Sequence, residues 1–464
     1  MRFSLFYLFE VSIWCYNIKG KVYFIGIYYV LRCVFFDMKN CYDLSQLNTE
    51  VPYDNRWNRE AAKPLLMHSI HVYPAKFPPL IADEAFKYAD EENLHYEKVA
   101  DIFCGCGTVA LEAKRRGVSF WGCDINPVAV LIAKTKVNTY DNREIIKYYE
   151  AIVDRFNESD LLGIYDSCYE IAPERLKYWF SEVSYKNLYC LKKIIESTVN
   201  DPRYLNAFLC IFSSILKNAS RWLQKSIKPQ IDPNKKEADV MELFEAQVKR
   251  FLKATQETAD IGDNNHDIHI EQENFLHIRE KIKVDLLITS PPYVTSYEYA
   301  DLHQLSSLWL GYTDDYKELR KGSIGSMYHT ESVELGSLSL NDTAISIVSG
   351  LKESNVQPAR IKAIARYYSD MEKTIEKCAN MLNKDGMGIF VIGDSEINGV
   401  KLLNSKHIIE SMMMQNFRDI KIGKRTIEKS MCVPYRNEKG RFTKKAASNN
   451  EIYHEEFIIS GRIK

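Results

Sequence analysis

The sequence predicts an α/β fold, a largely parallel sheet with crossover helices that is interrupted by a long helical stretch. Three observations carry this prediction. Strand-like and helix-like patterns alternate up to about Tyr140. A glycine-bearing turn, Cys104-Gly105-Cys106-Gly107-Thr108, joins one of these strands to a helix. The apolar run Val284-Asp285-Leu286-Leu287-Ile288 leads into Thr289-Ser290-Pro291-Pro292-Tyr293, where two prolines forbid a central strand to continue.

Taken in order, Met1 to Asp37 crowds Phe, Tyr, Ile, Val and Trp around Glu10, Lys19, Lys21 and Arg32. Neither apolar run reaches the roughly 18 to 20 residues that a membrane span needs. No small-residue cleavage site marks a signal peptide. The stretch reads as upstream sequence ahead of a true start at Met38, with a real hydrophobic amino-terminal element or a membrane anchor as alternatives. Residues 38–97 hold polar loops, the segment His71-Val72-Tyr73-Pro74-Ala75-Lys76-Phe77-Pro78-Pro79 and a short helix from Leu80 to Ala89.

Val99 to Phe103 reads as a strand, Val109 to Arg116 as a helix and Ser119 to Asp124 as a second strand. From Asn142 to about Ala259 apolar residues recur at helical spacing, as in Leu188, Leu191, Ile194, Ile195 and again Phe208, Ile211, Phe212, Ile215. This is a helical insertion. The sheet resumes with Asp267 to Ile270 and the strand before Ser290. An aromatic, polar stretch then runs to Gly325, followed by a Ser/Asn/Gly-containing loop to about Pro358. A helix from Ala359 to Leu382 meets a stop at Asn383-Lys384-Asp385-Gly386. Gly388 to Asp394, Asp419 to Ile427 and Glu456 to Ile463 are the remaining strand candidates. The divisions are therefore 1–37, 38–141, 142–260 and 261–464.

The two turns carry the chemistry. Glycines let a backbone approach a ligand closely, and the amino end of the following helix favours an anionic group. Asp124, closing the second strand some 20 residues on, stands where a carboxylate clamps ribose hydroxyls. Ala110 takes the place of a third glycine, which favours a nucleoside cofactor without a pyrophosphate. At the other turn, carbonyls around the proline pair lack a neighbouring strand and can accept from an exocyclic NH2. Tyr293 offers a stacking face. Ligands of open α/β sheets sit at this carboxyl edge.

On these residues the chain resembles DNA amino-methyltransferases that use S-adenosyl-L-methionine (SAM), of the type that methylates cytosine at N4. Asp101-x-Phe103-x-Gly105-x-Gly107 resembles the SAM motif, Asp124 the ribose-binding acid, and Ser290-Pro291-Pro292-Tyr293 the catalytic tetrapeptide. The tetrapeptide mostly begins with Ser in cytosine-N4 enzymes and with Asp or Asn in adenine-N6 enzymes. The segment from His71 to Pro79 is similar to the one that lines the methionine end of SAM. The resemblance runs from about residue 60 to the carboxyl end and is least diagnostic in the helical middle. It implies a Rossmann-like SAM-dependent methyltransferase sheet, seven-stranded and mixed, closed by a late antiparallel pair. At SAM it implies Tyr73, Lys76, Phe77, Asp101, Phe103, Gly105, Gly107, Thr108, Asp124 and Ile125, with Glu273 or Asn274 near the adenine. It also implies that Ser290 and the Pro291 carbonyl accept the amine protons of a flipped base in double-stranded DNA, beside Pro292, with Tyr293 stacked on that base.

Bulk properties narrow the field without deciding it. A net charge of -1 gives no global basic field, although Lys401 to Lys464 carries an excess of about +7. Eleven irregularly spaced cysteines make no secreted disulfide framework, and Cys104 and Cys106 lack further ligands for a metal. No Pro-Cys pair is present, which argues against carbon-5 cytosine chemistry. The reading is a cytoplasmic enzyme with no metal and no membrane, with a cognate restriction endonuclease as a partner. DNA contacts fall on Arg221 and Lys225 beside Trp222, or on Tyr297, Arg320 and Lys321 past the tetrapeptide. Alternatives are an adenine-N6 enzyme, a tRNA guanine-N2 enzyme, and a catalytically dead DNA-binding relative.

Overall fold

The computed structural model describes residues 50–464, apart from 59–62, 75, 161–166, 262–265, 280, 295–297, 327–333, 428–434, 437–449 and 452–454. The expectations for residues 1–37 and for Tyr297 lie outside the described residues, as does most of the basic loop before Asn450.

Seven strands form one sheet: β1 (Lys98–Asp101), β2 (Ser119–Asp124), β3 (Ile268–Gln272), β4 (Val284–Thr289), β5 (Leu382–Ile392), β6 (Phe417–Thr426) and β7 (Glu455–Ile463). Their spatial order is β3-β2-β1-β4-β5-β7-β6. The first five run parallel, and β7 lies antiparallel between β5 and β6. The sheet is therefore seven-stranded and mixed.

Strand β4 shows why an unbroken apolar run belongs at its centre. Leu286 and Ile288 pack on one face against helices α1 (Pro79–Glu91) and α2 (Thr108–Arg115), through Ile81, Phe86 and Val109. Val284 and Leu287 pack on the other, against Ile375, Cys378, Ile408 and Met412. Parallel strands covered on both faces lose the polar–apolar alternation of a half-exposed sheet.

Helix α3 (Pro127–Val137) follows β2, and the predicted helical insertion follows α3. Its long members are α4 (Asn142–Asp160), α5 (Glu182–Thr198), α6 (Pro202–Ala219) and α7 (Val240–Glu257). Ser181, Asp201 and Asp239 cap the last three by accepting backbone N–H bonds. The insertion is not a pendant. Its core residues Trp179, Phe208, Phe212 and Phe244 are continuous with Leu131 and Ile132 of α3 and with Leu305 and Trp309 beyond the tetrapeptide.

Two expectations need correction. The aromatic, polar stretch contains short helices at Tyr299–Leu302 and Gln304–Trp309, and the expected loop from Gly325 to Pro358 holds the three-turn helix α8 (Asp342–Glu353). Asn341 caps α8 at the Ala344 amide, and Thr343, Ala344, Ile347, Val348 and Leu351 form its buried face. Its β-branched residues, serines and Gly350 lower intrinsic helix propensity, so packing decides. Asn383 to Gly386 is not a separate helix stop. Helix α9 (Pro358–Met381) passes directly into β5, and the β4–β5 register slips between Val284 and Leu286. Asp385, at φ +63°, lies in that irregular stretch. Helix α10 (Asn404–Met414) then precedes β6.

At the far edge, Tyr53 bridges Lys424 of β6, and the Trp57 indole packs against Gly423, where a Cβ would sit 2.5 Å from the indole nitrogen. This segment covers an otherwise open edge strand. Among the described residues no helix is long and apolar enough to cross a membrane.

Candidate active site

The glycine turn begins where β1 ends. The Phe103 amide donates to Asp101 Oδ1 at 3.1 Å, and Gly105 and Gly107 follow at φ +50° and +75°. The two glycines serve different needs. A Cβ on Gly107 would lie 2.8 Å from Ala133 Cα, because α2 and α3 touch there. A Cβ on Gly105 would meet nothing nearer than the Tyr73 ring at 3.8 Å and the Phe103 carbonyl at 3.9 Å. Gly105 thus opens a cradle, while Gly107 closes a helix contact.

Asp124 completes that cradle. Its Oδ2 accepts from the Gly105 amide and its Oδ1 from the Asn126 amide, both at 2.8 Å. Burial lifts its pKa to about 6, against the pull of those two amides. Each oxygen keeps a lone pair for a hydroxyl donor. The cap of α3 is Asn126, which takes the Val128 amide at 3.0 Å, and not Asp124. Thr108 is buried, and its Oγ1 has no hydrogen-bond partner among the described residues. Orphaned hydroxyl, open glycine and half-satisfied carboxylate together fit a nucleoside cofactor such as SAM. Cys104 and Cys106 are buried, the latter 3.2 Å from the Lys136 ammonium, and no metal-ligand cluster exists among the described residues.

Of the upstream segment, Tyr73 reaches the turn. Its ring lies beside Gly105 and stacks on His303, with centroids 4.7 Å apart and planes at 23°. Lys76 does not point a free charge there: its ammonium donates to the His68 carbonyl at 2.9 Å, and burial lowers its pKa. Phe77 is half-buried against the core cluster that holds Ile81 and Phe86. On the other side, the Glu273 amide donates to the Asp124 carbonyl at 3.1 Å, leaving the Glu273 side chain exposed. Asn274 caps Leu276 and holds the Gly322 carbonyl at 3.0 Å. A Cβ on Gly322 would lie 3.5 Å from Ile125 Cδ1, so this loop returns onto Ile125 and Asn274. Nothing local in the sequence announced that return.

The tetrapeptide leaves the same sheet edge. Strands β1 and β4 are adjacent and parallel, with Ala100 opposite Leu287, and Thr289 Oγ1 donates to Asp101 Oδ1 at 2.6 Å. Ser290 Oγ donates its proton to the Val391 carbonyl at 3.0 Å. Pro291 is buried, and Pro292 and Tyr293 are half-buried. The Tyr293 hydroxyl donates to Glu456 Oε1 at 2.7 Å, and the edge of its ring lies over Gly393, where a Cβ would come within 3.0 Å. Burial, then Glu456, holds the Tyr293 pKa well above the usual phenol range. Gly393-Asp394-Ser395 acquires a structural role. Asp394 accepts from the Ser405 amide and hydroxyl at 2.8 and 2.9 Å, and Asn404 holds the Gly393 carbonyl at 2.9 Å. The start of α10 thereby fixes the glycine beneath Tyr293.

The basic candidates divide. Arg221 and Lys225 are exposed, whereas Trp222 is buried on Trp179, with centroids 4.9 Å apart. The neighbouring Lys217 ammonium is taken by the Ser226 carbonyl at 2.9 Å. Arg320 pairs with Asp301 at 2.7 Å and Lys321 with Glu318, so neither offers an unengaged charge.

A family model described as the D12 class of N6 adenine-specific DNA methyltransferases matches residues 80–318, just over half of the chain. The chain belongs to that family. As a member it is a SAM-dependent DNA methyltransferase. Type II methyltransferase M.MvaI from Kocuria varians is 21% identical over 366 residues, covering 73% of this chain and 79% of its own. Type II methyltransferase M.BsoBI from Geobacillus stearothermophilus is 25% identical over 269 residues, and this chain spans 52% of its length. The solved rRNA methyltransferase aviRa from Streptomyces viridochromogenes covers 86% of the chain and 90% of its own at 10% identity. Its TM-score of 0.27 is too low to carry an argument.

Proposed function

We propose that this D12-family methyltransferase moves the methyl group of SAM to the exocyclic N4 of a cytosine flipped out of double-stranded DNA. In this reading it is the modification half of a restriction–modification pair, in the cytoplasm beside a cognate endonuclease. The observation that carries the reading is the shared sheet edge. The glycine turn and the tetrapeptide leave neighbouring strands whose ends are bonded through Thr289 and Asp101.

Bound SAM supplies an electrophilic methyl carbon. Gly105, Thr108 and Asp124 hold the nucleoside, and Tyr73 closes its methionine side. An exocyclic amine is a poor nucleophile because its lone pair is conjugated with the ring. Fixed acceptors on both amine protons favour sp3 character and aim the nitrogen. Ser290 gives its own proton to the Val391 carbonyl and so accepts through its lone pairs, and the Pro291 carbonyl is the second acceptor. Stacking on Tyr293 is worth about 1–3 kcal/mol. That offsets an extrusion cost of a few kcal/mol. The nitrogen bonds the methyl carbon as the carbon–sulfur electron pair leaves with sulfur, and the surplus proton passes to water. Arg221 and Lys225 on the insertion meet backbone phosphates.

Serine at the head of the tetrapeptide supports cytosine. The family description favours the second reading, adenine N6. Mass spectrometry of nucleosides from DNA treated with enzyme and SAM decides between them. N4-methylcytosine is the expected product. N6-methyladenine would transfer the same geometry to adenine, and an unmethylated digest would overturn both readings.

A further inference from the structure

We propose that Glu456 is a positioning residue for methyl transfer: it holds the Tyr293 ring by its hydroxyl and enriches that ring in electrons for the charge arising on the target base. The inference rests on the reading of Tyr293 as the stacking residue.

The geometry is built rather than incidental. Glu456 uses its two oxygens separately, Oε1 for the Tyr293 hydroxyl and Oε2 for Arg425 Nε, each at 2.7 Å. Both charged side chains are only 13% exposed. Glu456 and Arg425 are register partners across β7 and β6, and the next residue, Phe457, lies opposite Ile392 at the end of β5. The carboxylate is therefore fixed by the sheet at the level where β5 delivers Gly393 to the ring edge. Held at the hydroxyl and along one edge, the ring plane is set before any base arrives, which lowers the ordering cost of stacking. Arg425 is already satisfied by Oε2, so the ion pair does not need the tyrosine. The bond to the tyrosine serves the ring.

As the amine nitrogen bonds carbon, its lone pair is consumed and the base carries positive charge until a proton departs. The face of an aromatic ring attracts a cation. A phenol that donates to a carboxylate is more electron-rich than one that donates to water, and the bond from Arg425 Nε keeps that carboxylate aimed. Glu456 thus acts through the ring without touching the base.

A double-mutant cycle tests this on the full-length enzyme with a duplex carrying its mapped site. Glu456→Gln keeps shape and one acceptor, and Tyr293→Phe removes the hydroxyl while leaving the Glu456–Arg425 pair intact. Each single change is expected to slow single-turnover transfer about tenfold. SAM affinity by calorimetry should stay near wild type in both single variants. The double variant should be no slower than Tyr293→Phe. A wild-type rate in Tyr293→Phe overturns the proposal, even if Glu456→Gln fails to fold. So does a Glu456→Gln defect that persists in full on the Phe background. If the wild-type enzyme leaves no methyl on DNA, the functional reading fails instead.

Discussion

Thr289 Oγ1 donates a 2.6 Å hydrogen bond to Asp101 Oδ1 across 188 residues of sequence. The bond joins the last residues of two adjacent parallel strands, so the whole helical insertion is looped out between two turns that are neighbours in space. Asp101 is 2% exposed, and its carboxylate accepts from the Thr289 hydroxyl and the Phe103 amide. Burial therefore dominates, and its pKa rises to about 7.

A pH dependence of stability follows. Below the ordinary value of 3.8 Asp101 is protonated both folded and unfolded, and costs nothing. As pH rises towards about 7, the unfolded chain ionises while the folded one keeps its proton. Stability then falls by up to about 1.4 kcal/mol per pH unit, and the loss stays constant above the folded pKa. Asp101→Asn keeps an acceptor for Thr289 and Phe103 but cannot ionise. Urea unfolding at about pH 4.5 and pH 8 should show the variant gaining on wild type by a few kcal/mol at the higher pH. An unchanged difference would mean that Asp101 does not titrate in this window.

The two glycines of the turn should fail in different ways. Gly107→Ala forces a methyl into Ala133 at a positive φ, and should cost about 1–3 kcal/mol of stability. Gly105→Ala makes only ordinary contacts with the Tyr73 ring and the Phe103 carbonyl and suffers only the left-handed backbone, about 1–2 kcal/mol. Its main effect should be on SAM, because the added methyl enters the cradle. Melting curves and calorimetry together separate the two, and equal SAM affinities would remove Gly105 from the cofactor site.

What the sequence disclosed, and what it withheld, divides along a physical line. Gly105, Asp124, Thr289 and the proline pair were legible because turn chemistry and strand endings are local properties. Glu456, His303 and Gly322 were not, since each acquires its role from a residue far away in the chain. Glu456 looked like any acid at the start of a strand. Arg320 looked like a free basic residue until Asp301 took its charge. Helix α8 was missed because its weak intrinsic propensity hid a face that only packing against α9 rewards.

Gly393→Ala should act chiefly on Tyr293, since the other near neighbour, the Glu455 carbonyl, would lie 3.4 Å from the added methyl. The added methyl would come within 3.0 Å of the Tyr293 ring and must displace it, since Asn404 holds the Gly393 carbonyl. A displacement of this kind should slow transfer about tenfold or more while SAM binding persists. Single-turnover rates beside calorimetric SAM affinities would show it. Loss of both together would mean that the β5 end supports the cofactor as well.

The basic residues offer a last separation, by salt. If Arg221 and Lys225 each meet a phosphate, replacing both by Ala should weaken DNA binding on every sequence. It should also flatten the plot of log affinity against log salt by about two units of slope. Stability should hardly change, because both side chains are exposed. Arg320→Ala should behave in the opposite sense. It breaks a charge-assisted bond to Asp301 whose arginine is only 11% exposed, and should cost about 1.5–3 kcal/mol of stability. The salt slope should remain, because that charge is engaged inside the protein. Fluorescence anisotropy over a salt series, with melting curves on the same variants, reads both effects. A slope reduced by Arg320→Ala and untouched by the Arg221 and Lys225 changes would move the DNA face from the insertion to the segment beyond the tetrapeptide.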